Sequence, residues 1–278
     1  MANDNLKQAK KAKNDEFYTQ WCDIEKEIMA YIDYNPDVFK DKTILLPCDD
    51  PEWSNFTKFF AQNFEAFGLK KLISTSYAFE SKKINMPYQT SLFEEQAPHF
   101  NPDINKIKGK IFTLDHDTNQ NGVIDIEDLE WQYLDGDGDF RSEEVRKLRD
   151  ESDIIITNPP FSLFREFLEW VMEADKQFLI IGNINCLTYK EVFLKIQQNI
   201  AWLGTGMGRW ISGFIVPESY ELYGSEARIE NGNRIVATNN CLWLTNIDHG
   251  KRHQPLKLMT ILQTLNESIK TLDKEIDN

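Results

Sequence analysis

What most limits the fold of this chain is a rhythm of short apolar runs separated by stretches of helical spacing. The runs are "KTILLPCDD", "KKLISTSYA", "GKIFTLD", "DIIITNPPF", "FLIIGNIN", "IAWLGTG" and "NCLWLTN". Several are continuous rather than alternating, the pattern of strands buried on both faces of a parallel sheet. Between them, "WSNFTKFFAQNFEAFG" places Phe56, Phe59, Phe60, Phe64 and Phe67 near helical spacing, with Gly68 positioned as a C-cap. "SLFREFLEWVMEADK" has the same amphipathic character. The alternation predicts an α/β fold, a doubly wound Rossmann-like sheet with helices on both faces. Beyond about residue 205 the rhythm lapses, and "LQTLNESIKTLDKEIDN" reads as a polar amphipathic helix.

With 278 residues, 41% of them hydrophobic and 12% aromatic, the chain has the means for a packed core. No run approaches the ~20 apolar residues of a membrane span, and none resembles a signal peptide. Cys22, Cys48, Cys186 and Cys241 are scattered without a CxxC pair, as reduced thiols in a cytoplasmic protein would be. The formal charge of −14 argues against a nucleic-acid partner. Its distribution softens that argument, because residues 101–160 hold fifteen acids against seven Lys and Arg. "KQAKKAK" (Lys7, Lys10, Lys11, Lys13) and "HGKRH" (Lys251, Arg252) are basic, so a locally positive face remains open.

The run "DIIITNPPF" ends in a way that suggests chemistry. Ligands of open parallel sheets sit at the carboxyl ends of strands, and Asn158, Pro159, Pro160 and Phe161 fall at such an end. Proline has no amide hydrogen, so Pro159 and Pro160 stop the ladder and stiffen an extended turn. That turn offers two acceptors, the Asn158 side-chain oxygen and the Pro159 carbonyl, below the flat face of Phe161. Two acceptors beneath an aromatic suit a planar group bearing an amino function.

Asn-Pro-Pro-Phe at a strand end resembles the catalytic motif of amino-group methyltransferases. Together with "NDEFYTQ", "ILLPCDDPEWSNF", "DGDGDFRSEE" and "FLIIGNIN", in that order, it is similar to the EcoRI-type adenine-specific DNA methyltransferase family over roughly residues 14–255. The resemblance implies a class I methyltransferase sheet that uses S-adenosylmethionine to methylate the exocyclic amino group of a flipped-out adenine in double-stranded DNA. It implies catalytic roles for Asn158, Pro159, Pro160 and Phe161. Pro47, Cys48, Asp49 and Asp50 would wrap the methionine part of the cofactor, an acid pairing with its ammonium. Phe17, Tyr18 and Thr19 would cover the cofactor, and Asp139 and Phe140 would hold its adenine. The resemblance also implies a restriction-modification or phage setting, with a cognate restriction endonuclease acting on the same site; monomer and dimer both remain open. Two departures stand out. "PCDDPEW" replaces the usual glycine-rich loop, and the second strand ends in "STSYA" rather than in a ribose-binding acid.

The expected organisation is one catalytic domain, residues 1–278, with an acidic insertion at 80–135 and target-recognition elements at 205–278. Arg209, Trp210, Tyr220, Tyr223, Arg228 and Arg234 are candidates for DNA contact. Within the insertion, "DTNQNGVIDIED" (Asp117 to Asp128) follows the spacing of a calcium loop, with Asp where Glu is usual at its last position. No metal is assigned to the catalytic site. Alternative readings are methylation of RNA or of a protein glutamine, and a calcium-binding module without catalysis.

Overall fold

The computed structural model describes residues 17–50, 54–78, 100–206, 211–216, 222, 227–236 and 240–255. Lys7 to Lys13, Arg209, Trp210, Tyr220, Tyr223 and the polar C-terminal stretch lie outside them. In chain order the elements are β1 (Tyr18–Thr19), α1 (Trp21–Tyr34), β2 (Thr43–Leu46), α2 (Asn55–Gln62), β3 (Lys71–Ser76), α3 (Pro102–Ile107), β4 (Lys110–Leu114) and β5 (Glu130–Tyr133). They continue with α4 (Glu143–Glu151), β6 (Ile154–Thr157), α5 (Phe164–Glu173), β7 (Gln177–Asn183), α6 (Lys190–Gln197), β8 (Trp202–Leu203), β9 (Phe214–Val216), β10 (Arg228–Glu230), β11 (Asn233–Val236) and β12 (Cys241–Thr245).

Eight strands form a mixed sheet in the order β5-β4-β3-β2-β6-β7-β12-β8. Its centre, β3-β2-β6-β7, is parallel throughout. The flanks are antiparallel: β4 and β5 on one side, β12 and β8 on the other. The parallel centre agrees with the continuous apolar runs, and the antiparallel flanks are what the doubly wound expectation did not include. β4 shows why, since Lys110, Phe112 and Leu114 are buried while Ile111 and Thr113 are only half-buried. An alternating strand suits a flank covered on one face.

The central strands are buried on both faces, and successive residues serve different cores. Ile44, Leu46, Ile154, Ile156, Leu179 and Ile181 pack with α1 and α2. Leu45, Ile155 and Ile180 face the opposite way, toward α4 and α5. The aromatic helix forms as expected, though its α-helical part stops at Gln62. The chain then continues through turns, and Gly68 takes the left-handed φ of +63° that releases the strand. Ser54 caps the start of α2 by accepting from the Phe56 amide. Phe59, Phe60 and Phe67 interlock with Phe39 through edge and tilted ring contacts.

A second sheet has four strands in the order β1-β9-β11-β10, all antiparallel. Its hairpin turns at Asn231 and Gly232, both with positive φ (51° and 82°), the backbone of a two-residue turn with the right twist for a hairpin. The segment expected as an acidic insertion contributes β4 and β5 to the main sheet, and Asp115, Asp117, Asp125, Glu127 and Asp128 lie in the connection between these two strands. In that connection Asp117 and Asp128 accept from the loop's own groups, including the amides of Gly122, Thr118 and Asn119. Among the described residues no cluster of His, Cys, Asp and Glu is arranged to hold a metal ion. No helix among them is long and apolar enough to cross a membrane.

Phe60 is fully buried at the centre of the aromatic cluster. Phe60→Ala is expected to lower unfolding free energy by about 3–5 kcal/mol, measured by urea denaturation.

Candidate active site

β2 is the strand where the sheet changes direction. Its crossover leads to β3 on one side, while β6, on its other side, leads away to β7. Such divergence opens a crevice at the carboxyl ends of the two middle strands. Pro47 to Asp50 come directly after β2 and Asn158 to Phe161 directly after β6, so the two segments singled out in the sequence become neighbours.

Asn158 is held by its side-chain nitrogen, which donates to the Phe17 carbonyl at 2.6 Å. A carbonyl only accepts, so the amide must present its NH₂ there and turn its oxygen the other way. That oxygen, Oδ1, is buried and has no hydrogen-bond partner among the described residues. An orphaned buried acceptor is uncommon enough to require a reason. Pro160 has φ −54° and ψ 119°, and its carbonyl accepts from the Leu163 amide as the chain enters a 3₁₀ turn at Phe161–Leu163 that leads into α5. The Phe161 ring meets those of Phe17 and Phe214 at centroid distances of 5.4 and 5.8 Å, and these two rings are 5.9 Å apart. The N-terminal strand and the small sheet therefore close on the end of β6.

In the loop after β2, Cys48 adopts a left-handed φ of +68°, a conformation that side-chain-bearing residues seldom take outside tight turns. Asp49 and Asp50 are both buried. The Asp49 carboxyl turns inward, toward the hydroxyls of Ser54 (2.7 Å) and Thr157. Thr157 also bonds the Pro47 carbonyl (2.7 Å), so the two loops are stitched together by a side chain from the last residue of β6.

The third wall comes from the end of β3. Gly138 sits so close to the Ser76 carbonyl that a Cβ would lie 2.3 Å from it, and its φ is +85°. Ala78 donates to the Asp137 carbonyl. This brings Asp139 next to Tyr77. Burial works to raise the Asp139 carboxyl, but bonds from the Arg141 side chain and amide and from the Tyr77 hydroxyl outweigh it and hold the group below its ordinary range. Arg141 reaches on to Glu166 of α5 at 2.8 Å. Phe140, paired with Asp139 on the sequence, is fully buried and packs against Phe167 and Trp170 in the core. Tyr77 and Thr157 were not singled out in the sequence. Tyr77 stands in "STSYA" where an acid was sought, and Thr157 is the polar end of an otherwise all-isoleucine strand.

Phe17, Tyr18 and Thr19 run alongside this crevice, with Thr19 buried and its carbonyl accepting from Asn55 of α2. A separate cavity of about 580 Å³ opens between α1 and the turn at 250–253, lined by Asp23, Glu27, Tyr34, Thr205, Trp243 and Lys251. It shares no lining residue with the crevice.

Comparison with known proteins gives this arrangement a family. A family model described as adenine-specific methyltransferase EcoRI matches residues 5–268. The chain is 50% identical over 254 residues to the type II methyltransferase M.EcoRI of Escherichia coli, covering 91% of this chain and 71% of that protein. It is 32% identical over 255 residues to M.MpnI of Mycoplasma pneumoniae, covering 91% of this chain and 66% of that protein. It is also 32% identical over 253 residues to M.MgeORF184P of Mycoplasma genitalium, with 90% and 66% covered. No solved structure matches the chain. The chain belongs to the EcoRI family of adenine-specific methyltransferases, whose methyl donor is S-adenosylmethionine.

Proposed function

We propose that this adenine-specific DNA methyltransferase works in the crevice between β2 and β6, where Asn158 Oδ1 and the Pro159 carbonyl accept the two amino hydrogens of a flipped-out adenine. The observation that carries the reading is the Asn158 amide, whose nitrogen is engaged by Phe17 while its buried oxygen lacks a donor. An exocyclic amino group supplies what that oxygen lacks. The amino nitrogen of adenine is a weak nucleophile because its lone pair is delocalised into the ring. Acceptors on both of its hydrogens favour the pyramidal form, in which the lone pair can attack. S-adenosylmethionine supplies the methyl group as an electrophile at a sulfonium centre. Pro160 adds stiffness to the turn, and Phe161 provides the face on which the extruded base stacks. This last role requires the Phe161 ring to share its contacts with Phe17 and Phe214.

The main sheet reads as the Rossmann-like class I methyltransferase sheet, and three loop ends fit the cofactor. The Pro47, Cys48, Asp49 and Asp50 loop would hold its methionine part. Asp50 is the better partner for the ammonium, because the Asp49 side chain points into the protein. Asp139, with Tyr77 beside it, would take the adenine amino group. Phe140 would brace that loop from the core, and Phe17, Tyr18 and Thr19 would form the cover. Target recognition falls to the small sheet and the residues beyond 205 within a single catalytic domain. There Arg228 lies on β10, bonded to Glu230 and to the Ser212 carbonyl, and Arg234 lies on β11. A cognate restriction endonuclease sharing the site is the partner such an enzyme implies.

Labelled S-adenosylmethionine offered with unmodified duplex DNA, RNA or protein tests the reading. Transfer to adenine in duplex DNA is expected, and transfer to RNA or glutamine alone would overturn it. Asn158→Ala is expected to lower kcat by about 10²–10³-fold while the protein stays folded by circular dichroism. Full activity in that variant would remove Asn158 from the site. Gly138→Ala must move the Asp139 loop away from Ser76. It is expected to cost about 1–3 kcal/mol of stability and to weaken cofactor binding in calorimetry.

A further inference from the structure

Between the two site loops lies a buried carboxyl that meets no cation among the described residues. Asp49 is 6% exposed, and its side chain faces hydroxyls on two sides, Ser54 at the start of α2 and Thr157 at the end of β6. Its main-chain carbonyl takes the hydroxyls of Thr57 from α2 and Ser74 from β3. The charge it feels is that of Asp50, of its own sign.

Counting hydrogens decides how these groups connect. Ser54 accepts from the Phe56 amide and gives its own hydrogen to Asp49 Oδ1. Thr157 has a single hydroxyl hydrogen but faces two oxygens, the Pro47 carbonyl at 2.7 Å and Asp49 Oδ2 at still closer range. The Pro47 carbonyl can only accept. If Thr157 donates to it, the contact between Thr157 and Asp49 needs a hydrogen from the carboxyl itself.

We propose that Asp49 is a positioning residue that acts in its protonated form: its carboxyl donates to Thr157, and Thr157 donates to the Pro47 carbonyl. The relay locks the end of β2 to the end of β6 one residue before Asn158. Its structural part stands on the contacts alone; its effect on rate rests on the proposed role of Asn158. Burial is the main influence on this carboxyl. It outweighs the bonds that Thr157 and Ser54 would give the ionised form, Asp50 adds to it, and the group is carried up to about 7. In the unfolded chain an Asp titrates near ~3.9. The folded protein thus holds the proton over a range in which the unfolded chain has lost it. The stability so contributed is complete below the unfolded value and is lost as pH rises through about 7.

The test compares the wild type with Asp49→Asn, Thr157→Val and Thr157→Ser between pH 5.5 and 8.5. An Asn at 49 can still donate to Thr157 and accept from Ser54 but cannot ionise. Urea unfolding is therefore expected to show the wild type losing stability relative to Asp49→Asn as pH rises to about 7, with the gap constant above it. Thr157→Val is expected to lower kcat by about 10–100-fold with cofactor affinity little changed, and Thr157→Ser to restore it. Should the Asn variant not fold, the 13C shift of the Asp49 carboxyl in the wild type gives the same answer directly. Titration near neutrality supports the relay. Titration near the ordinary Asp value, or parallel stability curves for wild type and Asp49→Asn, would overturn it. Loss of the Asn158→Ala effect with the relay intact would instead count against the proposed role of Asn158.

Discussion

The ladder between β2 and β6 is registered at Ile44 with Ile154 and at Leu45 with Ile155, and the site is built where that pairing stops. Two residues farther along, Pro47 has no amide hydrogen to continue a main-chain bond. The Thr157 hydroxyl reaches its carbonyl instead. Replacing a main-chain bond with a side-chain one lets the strand ends separate while keeping them in register. The isoleucines behind it are buried on both faces and leave β6 little freedom to shift. Asn158 therefore starts from a fixed platform, and the Phe17 carbonyl then sets which way its amide faces.

The hydroxyls next to that platform are largely bonded to protein, which explains how a buried acid coexists with them, while Thr19 Oγ1 and Ser76 Oγ farther along the crevice are buried without a partner among the described residues. The Thr57 and Ser74 hydroxyls lie against each other and both face the Asp49 carbonyl, and Ser54 serves both its helix and the Asp49 carboxyl. Asn158 Oδ1 differs from the Thr19 and Ser76 hydroxyls in being an acceptor alone, so it cannot be satisfied by donating. The acid-rich stretch obeys the same rule in a different way. Its Asp117 and Asp128 are turned onto the loop's own amides, which offsets much of the cost of gathering like charges.

The central strands were readable from the sequence because double-sided burial demands continuous apolar runs, as in "IIIT" and "FLIIG". The asparagine-proline turn was readable because two prolines leave a strand few ways to continue. The antiparallel flanks were harder, since the alternation in "KIFTL" is short and strand direction depends on partners far away in the chain. The small sheet leaves little trace in the sequence beyond Asn231-Gly232, a strong hairpin signal. β1 and β9 are two and three residues long and carry too little pattern to register. The roles of Phe214, Tyr77 and Thr157 depend on contacts with residues remote in sequence, which no local periodicity encodes. Phe140 illustrates the converse. The family resemblance sets it beside Asp139 at the cofactor, and in the fold its ring packs on Phe167 and Trp170 of α5.

The order in which the chain is made adds a consequence to the order of strands in the main sheet. Among the described residues β7 has β12 as its outer neighbour, and β8, which emerges earlier, pairs in that sheet with β12 alone. While the ribosome is still extending the segment between Asn183 and Cys241, the long apolar edge of β7 is without its partner. Such an edge is a template for unwanted association. The N-terminal strand likewise waits for β9 before it can settle against Phe161. Assembly around the end of β6 that carries Asn158 is thus a late event in biogenesis. A translation product stalled before Cys241 would bear the motif but lack the architecture that makes it an enzyme.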